Sequence, residues 1–251
     1  MSEMTDNELR EAAGQFFWWH SIRLRDNVVT PGISGENAAI SVMGIPDDLT
    51  GVSVLDVGCW DGYYSFECEK RGADRVVASD IWETSGRDAF DFAHHELDSK
   101  VEPLESSVYD LDPDYAGRFD LVLFLGVLYH LKHPLLALEK IASCTKPGGR
   151  IIVDTIIDIK SQLNLQPVMI FHPGSEVSDD PTTWWSPNPA AVAMMLGASG
   201  CLEVTNVTRL YSGNRSVFHA IKASDAECEE RARQEYKDRH RQIFYGPWPG
   251  K

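Results

Sequence analysis

VLDVGCWDGYYS, residues 54–65, is the stretch on which the reading of this chain turns. An apolar run that ends in glycines has the look of a buried parallel strand entering a turn. Gly58 and Gly62 lack a Cβ, so a ligand can approach the backbone there. The next apolar run, RVVASD (75–80), predicts a second strand that ends on an acid, Asp80. In open α/β sheets the ligand lies beyond the carboxyl ends of the strands, over the first strand–helix turn. An acid at the end of the second strand offers a bidentate acceptor for the two hydroxyls of a ribose.

The flanks continue this pattern. GYYSFECEKRG (62–72) and TSGRDAFDFAHHELDS (84–99) have helical spacing. VEPLESSVYDL (101–111) predicts a weak third strand with a loop, and FDLVLFLGVLYHL (119–131) a fourth strand running into a loop. PLLALEKIASCT (134–145) predicts a helix with proline at its start, KPGG (146–149) a turn, and RIIVDTII (150–157) a fifth strand. Strands alternating with helices over about 100 residues imply an α/β doubly wound, Rossmann-like sheet, mostly parallel. Residues 160–188 break the alternation with a long, irregular, aromatic stretch that reads as a functional insertion. PAAVAMMLGASG (189–200) predicts a helix, and LEVTNVTRLY with RSVFHAIKA an antiparallel hairpin around SGN.

Three parts follow: an N-terminal helical and aromatic lid segment (1–50), the α/β domain (51–223) with an insertion around 160–190, and a charged C-terminal helix or tail (224–251). In the first part, SEMTDNELREAAGQFFWW reads as a short helix and NVVTPGISGEN as a turn-rich connection.

Composition bounds the partners. Hydrophobic residues make up 43 % and charged residues 24 % of the 251, enough apolar material for a real core. The net charge of −15 argues against nucleic acid, because affinity for it comes largely from neutralised phosphates. Five cysteines, none in CxxC spacing, give no disulfide framework and no zinc site. The polar, acidic start is not a signal peptide, and no apolar run approaches the roughly 20 residues of a membrane span. A cytoplasmic protein with a small-molecule partner and no membrane partner is expected; a homodimer stays open.

The glycine turn, Asp80, FDLVLFLGVLYHL and KPGGRIIVD come in order and at suitable spacing. Together they resemble the class I S-adenosylmethionine-dependent methyltransferases, roughly from Gly51 to Ala223. A Rossmann dehydrogenase wants GxGxxG in the first turn, which GCWDGY does not supply; the middle glycine usual in the methyltransferase motif is itself replaced, by Trp60. LGVLYHLKHPLLAL (125–138) is similar to bacterial methyltransferases related to the tRNA wobble-uridine carboxymethyl-transferring enzymes. WHSIRL, VVTPGI and TWWSPN look like a branch of that group acting on small molecules or saccharides, including actinobacterial polysaccharide O-methyltransferases.

The resemblance implies S-adenosylmethionine as cofactor and gives each matching residue a role. Asp56 orients the glycine loop, the Gly58 backbone approaches the methionyl end, and Asp80 holds the ribose. Ser107 and Val108, with Tyr109, border the adenine; Leu125 and Gly126 lie under the sulfonium; Tyr129 and His130 face the methyl group. The N-terminal segment folds over the open end of the sheet, so that Trp18, Trp19 and His20 cap the cofactor, aromatic faces suiting a sulfonium. The alternative is that Phe16, Phe17 and Trp18 only fill a core.

Transfer to an alcohol needs a base for the hydroxyl proton. His130, Asp154 and His20 are the candidates; His133, His172 and the pair His94–His95 are weaker. His130 and His133 can instead cap the helix that follows. Trp184 and Trp185 can stack on sugar rings. Asn188 offers a donor and an acceptor to hydroxyls, or caps the helix at 189. Tyr129 and His133 complete the candidate acceptor contacts. No triad of metal ligands is evident, and magnesium stays open as a second cofactor. The expected activity is methylation of a saccharide hydroxyl. The alternatives are a tRNA wobble-uridine methyl or carboxymethyl transferase and a cofactor-binding protein without catalysis.

Overall fold

The computed structural model describes residues 4–34, 38–82, 86–161, 165–210, 214–230 and 233–234. The chain opens with α1 (Asp6–Ala13), a ribbon of β1 (Arg23–Arg25) and β2 (Val28–Val29), and α2 (Ala38–Met43). Then follow β3 (Ser53–Val57), α3 (Tyr63–Lys70), β4 (Arg75–Asp80), α4 (Gly86–Glu96), β5 (Glu102–Glu105), α5 (Pro113–Ala116), β6 (Phe119–Leu125), α6 (Pro134–Ser143) and β7 (Thr145–Ile156). The insertion carries β8 (Met169–Phe171) and β9 (Trp185–Pro187); α7 (Pro189–Ala198), β10 (Cys201–Leu210) and β11 (Arg215–Lys222) complete the fold.

Seven strands form one sheet in the order β10-β11-β7-β6-β3-β4-β5. Strands β3 to β7 run parallel, and β11 lies antiparallel between β7 and β10. The chain winds outward from β3 to β5, then returns to lay β6 on the other side of β3. That reversal opens a crevice at the carboxyl ends of the two strands. The expected α/β doubly wound sheet with an antiparallel hairpin is therefore the fold.

The central strands are buried on both faces, which is why they read as apolar runs and not as alternating patterns. On one face Val54, Leu121 and Leu123 pack with Phe66 of α3, Phe90 of α4, and Leu9 and Trp18 of the N-terminal segment. On the other face Leu55, Val122, Phe124 and Val153 pack with Leu138 and Ile141 of α6 and Val192 of α7. Each such side chain contributes roughly 1.5–3 kcal/mol on burial, so the two layers fix the rim on which the site stands.

Three expectations change. Helix α1 is shorter than its sequence suggests: Thr5 and Glu8 form a capping box at its start, Gly14 ends it, and the aromatics at 16–19 lie beyond it. KPGG is not a free turn but an irregular part of β7, with Gly148 at φ +77° and a register shift against Phe119 and Leu121. The insertion is not wholly irregular, because β8 and β9 pair as a small antiparallel ribbon. Residues 35–37 of the turn-rich connection, 83–85 at the start of the second helix, 162–164 of the insertion, 211–213 of the hairpin turn, and 231–232 and 235–251 of the tail lie outside the described residues. Among the described residues no helix is long and apolar enough to cross a membrane.

Candidate active site

The loop from β3 to α3 is held against the end of β4. The amides of Gly58 and Cys59 donate to the Ser79 carbonyl at 2.7 and 3.2 Å. Gly58 sits at φ +76°, and a Cβ there would meet Val127 Cγ2 at 2.3 Å, so only glycine lets the loop close against the turn after β6. Trp60, where the middle glycine is missing, still takes a left-handed backbone at φ +51°. That costs on the order of 1–2 kcal/mol for a residue with a Cβ. Compensation is visible: the Trp60 amide donates to Asp80 Oδ2 at 2.9 Å, and the Trp82 indole donates to the Trp60 carbonyl at 3.0 Å.

Asp80 also receives the Trp82 amide at 3.2 Å, so its carboxylate is aimed by backbone on both oxygens. Ser106 donates its amide to the Asp80 carbonyl, which brings Ser107 and Val108 to the same side of the rim. Asp56 is buried behind the loop and accepts from Ser65 at 2.7 Å. Burial pushes its carboxyl up to about 7, against the opposing Ser65 hydroxyl. Asp56 thus ties the strand end to the first turn of α3.

At the end of β6, Gly126 donates its amide to the Asp154 carbonyl at 3.0 Å. Arg215, the first residue of β11, reaches Asp154 with two guanidinium nitrogens and donates to the Tyr129 hydroxyl at 3.1 Å. A Cβ on Gly126 would stand 3.6 Å from Arg215 and 3.8 Å from the Tyr129 oxygen, so this trio borders Leu125 and Gly126. Burial raises the Asp154 carboxyl while Arg215 opposes it, and Asp154 keeps Arg215 firmly protonated. The base role read for Asp154 therefore gives way to an ion pair: both oxygens are engaged by the guanidinium.

The insertion docks on the same strand end. Trp184 donates its amide to the Tyr129 carbonyl at 2.8 Å. The Nδ1 of His130 lies 2.8 Å from the Thr182 hydroxyl, which in turn donates to Asp180. Burial lowers His130 below the usual histidine value, with Thr182 and Asp180 pulling the other way. Phe171 stacks at 21° on Trp184 and tilts against Trp185, while Lys132 lies over the Trp184 ring at 4.7 Å. His172 is tied to Ser186 at 2.8 Å.

On the opposite side of the glycine loop, His20 places Nδ1 at 2.7 Å from the buried Asp61. The ring stacks on Tyr63 at 16° and meets Tyr64 edge-on. Trp19 and Phe17 stand about half exposed beside it, and Phe17 meets the Trp60 ring edge-on.

Several readings are corrected. Trp18 does not cap the rim; it is fully buried and donates its indole N–H to the Ala13 carbonyl at 2.7 Å, so the core alternative holds for this residue. Asn188 does not face a substrate. It caps α7 through the Ala191 amide and spends its amide group on Ser161 and Gln166 carbonyls, fully buried. His133 is exposed and rests on Tyr109, whose hydroxyl accepts its amide. His94 binds the Val101 carbonyl and stacks on Phe90, a structural use. Among the described residues no group of three or more His, Cys, Asp or Glu side chains could hold a metal.

Residues 36–194 match the family described as Methyltransferase domain. The chain belongs to the methyltransferase-domain family. The chain is 35 % identical over 136 residues to the tRNA U34 carboxymethyltransferase of Campylobacter hominis, covering 54 % of the chain and 47 % of the relative. With that of Trichlorobacter lovleyi it shares 30 % over 159 residues, 63 % of the chain and 47 % of the relative. The chain spans about half the length of these relatives. Their name gives them a tRNA substrate, so the exclusion of nucleic acid read from net charge has no support from them. Its fold matches the N-terminal domain of EvdMO1, solved in the presence of SAH and D-fucose (TM-score 0.63, 17 % identity, 88 % of this chain and 97 % of that one). It also matches the Burkholderia thailandensis 1,6-didemethyltoxoflavin-N1-methyltransferase (TM-score 0.52, 19 % identity, 69 % and 72 %).

Sequence reading missed Asp61 and Arg215. Asp61 lies inside the decisive motif, where an acid between glycines was the available signal. Arg215 had none, since only the β7–β11 pairing brings it to Asp154.

Proposed function

We propose that this methyltransferase binds S-adenosylmethionine along the β3–β4–β6 rim and methylates a hydroxyl of a small polar molecule, with a saccharide as the first class. The residues at the rim suit the cofactor. Asp80 is aimed for the ribose, Ser107 and Val108 lie beside it, and the Trp60 indole N–H is buried with no partner among the described residues. Bound there, the cofactor supplies a methyl group made electrophilic by its sulfonium. The protein's part is to hold the acceptor in line, keep water out and take the hydroxyl proton. In the N-terminal segment the half-exposed Trp19 and Phe17 stand at the opening and act as its lid.

One observation supports the acceptor class. The exposed Phe171 and the partly buried Trp184 form an aromatic shelf, anchored by the Trp184 amide to the carbonyl of Tyr129 in the turn after β6. Indole and phenyl faces pack well on the C–H faces of sugar rings.

A second reading is transfer of a methyl or carboxymethyl group to a tRNA wobble uridine, as the relatives' name suggests. Arg215 supports it as a cation beside Gly126, where a carboxylated donor would place its charge. The test is transfer of labelled methyl from S-adenosylmethionine to methyl glycosides, catechol and unmodified tRNA in parallel. Label in the glycosides is the expected result. Label in tRNA replaces it with the second reading, and cofactor binding without any transfer favours a protein that has lost catalysis.

A further inference from the structure

We infer that His20 and Asp61 form the proton-accepting pair of this site, with Asp61 the positioning residue and His20 Nε2 the base. The inference rests on the methyltransferase reading but not on the identity of the acceptor.

A general base needs a free ring nitrogen, a fixed tautomer, and something to stabilise the charge it acquires. His20 meets each requirement. Asp61 is wholly buried, and its Oδ1 lies 2.7 Å from Nδ1. Its Oδ2 accepts the amides of Trp19 and His20 at 2.9 and 2.8 Å. A carboxylate so held is an acceptor at Nδ1, which puts the proton on that nitrogen and leaves Nε2 with its lone pair. No hydrogen bond to Nε2 is found among the described residues. Tyr63 lies flat against the ring and Tyr64 edge-on, so the imidazole plane is set on its faces as well.

The chain spends several interactions to hold this one side chain. Thr30 is buried, donates its hydroxyl to the His20 carbonyl at 3.1 Å and accepts the Ile22 amide at 2.8 Å. The Ser21 amide donates to the Ser34 carbonyl, and the Ser34 amide donates to the Trp19 carbonyl. A Cβ on Gly32 would fall 2.0 Å from the His20 carbonyl carbon, so the backbones touch there and only glycine fits. Such bracing places His20 over the loop that carries Gly58 and Asp61. His130 is held more loosely, by one hydroxyl and one backbone carbonyl of a half-exposed loop, and lacks a buried carboxylate partner.

In the step assigned to the pair, the acceptor hydroxyl gives its proton to His20 Nε2 as its oxygen bonds the methyl carbon. The electron pair of the broken carbon–sulfur bond stays on sulfur. The imidazolium, stabilised by Asp61, then returns the proton to solvent.

The test uses the full chain with S-adenosylhomocysteine. Nitrogen-15 histidine spectra should show His20 as the Nδ1–H tautomer above pH 8. Asp61→Asn, whose amide can donate to Nδ1, should reverse it. His20→Asn keeps a donor toward Asp61 but deletes the base, and should leave the calorimetric Kd for S-adenosylhomocysteine within about twofold. An Nε2–H tautomer in the parent overturns the inference. A tenfold or greater weakening in a folded His20→Asn variant also does so, because the ring would then be a cofactor ligand. Failure of the parent to bind S-adenosylhomocysteine would instead sink the methyltransferase reading. With an acceptor from the labelling screen, both variants should lose about 10²–10⁴-fold in kcat; near-parental kcat in either returns the base to His130.

Discussion

The two flanks of the rim are built on opposite plans. The flank formed by the glycine loop and the N-terminal segment is closed and acidic: Asp56 and Asp61 are buried, Asp80 is fixed by amides, and His20 is locked against Asp61. The flank formed by the insertion and β11 is open and aromatic, with one buried ion pair beneath it. The first plan suits a ligand that never changes. The second suits a partner whose shape must be selected, since exposed aromatic faces and a loop-borne histidine can be altered without disturbing the sheet.

The comparison breaks most visibly at Arg215. Replacing it with Met leaves Asp154 buried and unpaired, which should cost about 3–5 kcal/mol of stability. Urea unfolding of Arg215→Met measures this. A loss below about 1 kcal/mol would show that the acceptor flank, too, is wet and loosely coupled to the fold.

Asp56 tests the closed flank in the other direction. Its carboxyl is raised from 3.8 to about 7 by burial, so the folded protein holds a proton that the unfolded chain releases. The associated stability is present below about pH 4 and is lost as pH climbs through about 7. Asp56→Asn cannot ionise and should be more stable than the parent at pH 8 by roughly 4 kcal/mol, yet close to it near pH 4. Unfolding curves at both values decide it; equal stability at pH 8 would mean that water reaches this carboxyl.

Asp80→Ala should weaken S-adenosylhomocysteine binding by about 1.5–3 kcal/mol, the worth of hydrogen bonds to a charged group. Calorimetry on a folded variant is the check, and an unchanged Kd would remove the ribose from this residue. The smallest effect belongs to His130. Its lowered pKa means that the unfolded chain takes up the proton first, so stability falls as pH drops below about 6.5. His130→Gln should flatten that slope slightly, and a steeper slope would show a favourable charged pair with Asp180.

The sequence by itself determined the sheet and, on the closed flank, the glycine loop and Asp80. Period, punctuation and acids at strand ends are local, so VLDVGCWDGYYS and RVVASD carry the β3 loop and Asp80 within one stretch of chain. Trp60 itself takes a left-handed backbone, held by its amide donating to Asp80 and its carbonyl accepting from the Trp82 indole. Asn188 was legible as a cap for the same reason, since the bond spans only three residues. Tertiary structure alone decided the rest. Trp18 and Trp19 are adjacent and chemically equivalent, and only the end of α1 at Gly14 turns one into the core and the other toward solvent. Asp154 reads as a base until β11 pairs with β7 and brings Arg215 from 61 residues away. His20 meets Asp61 across 41 residues, through a fold-back in which Gly32 presses on the His20 backbone. Contacts of that kind follow from how strands are ordered and how segments cross. Neither a period of two nor one of 3.6 residues encodes them.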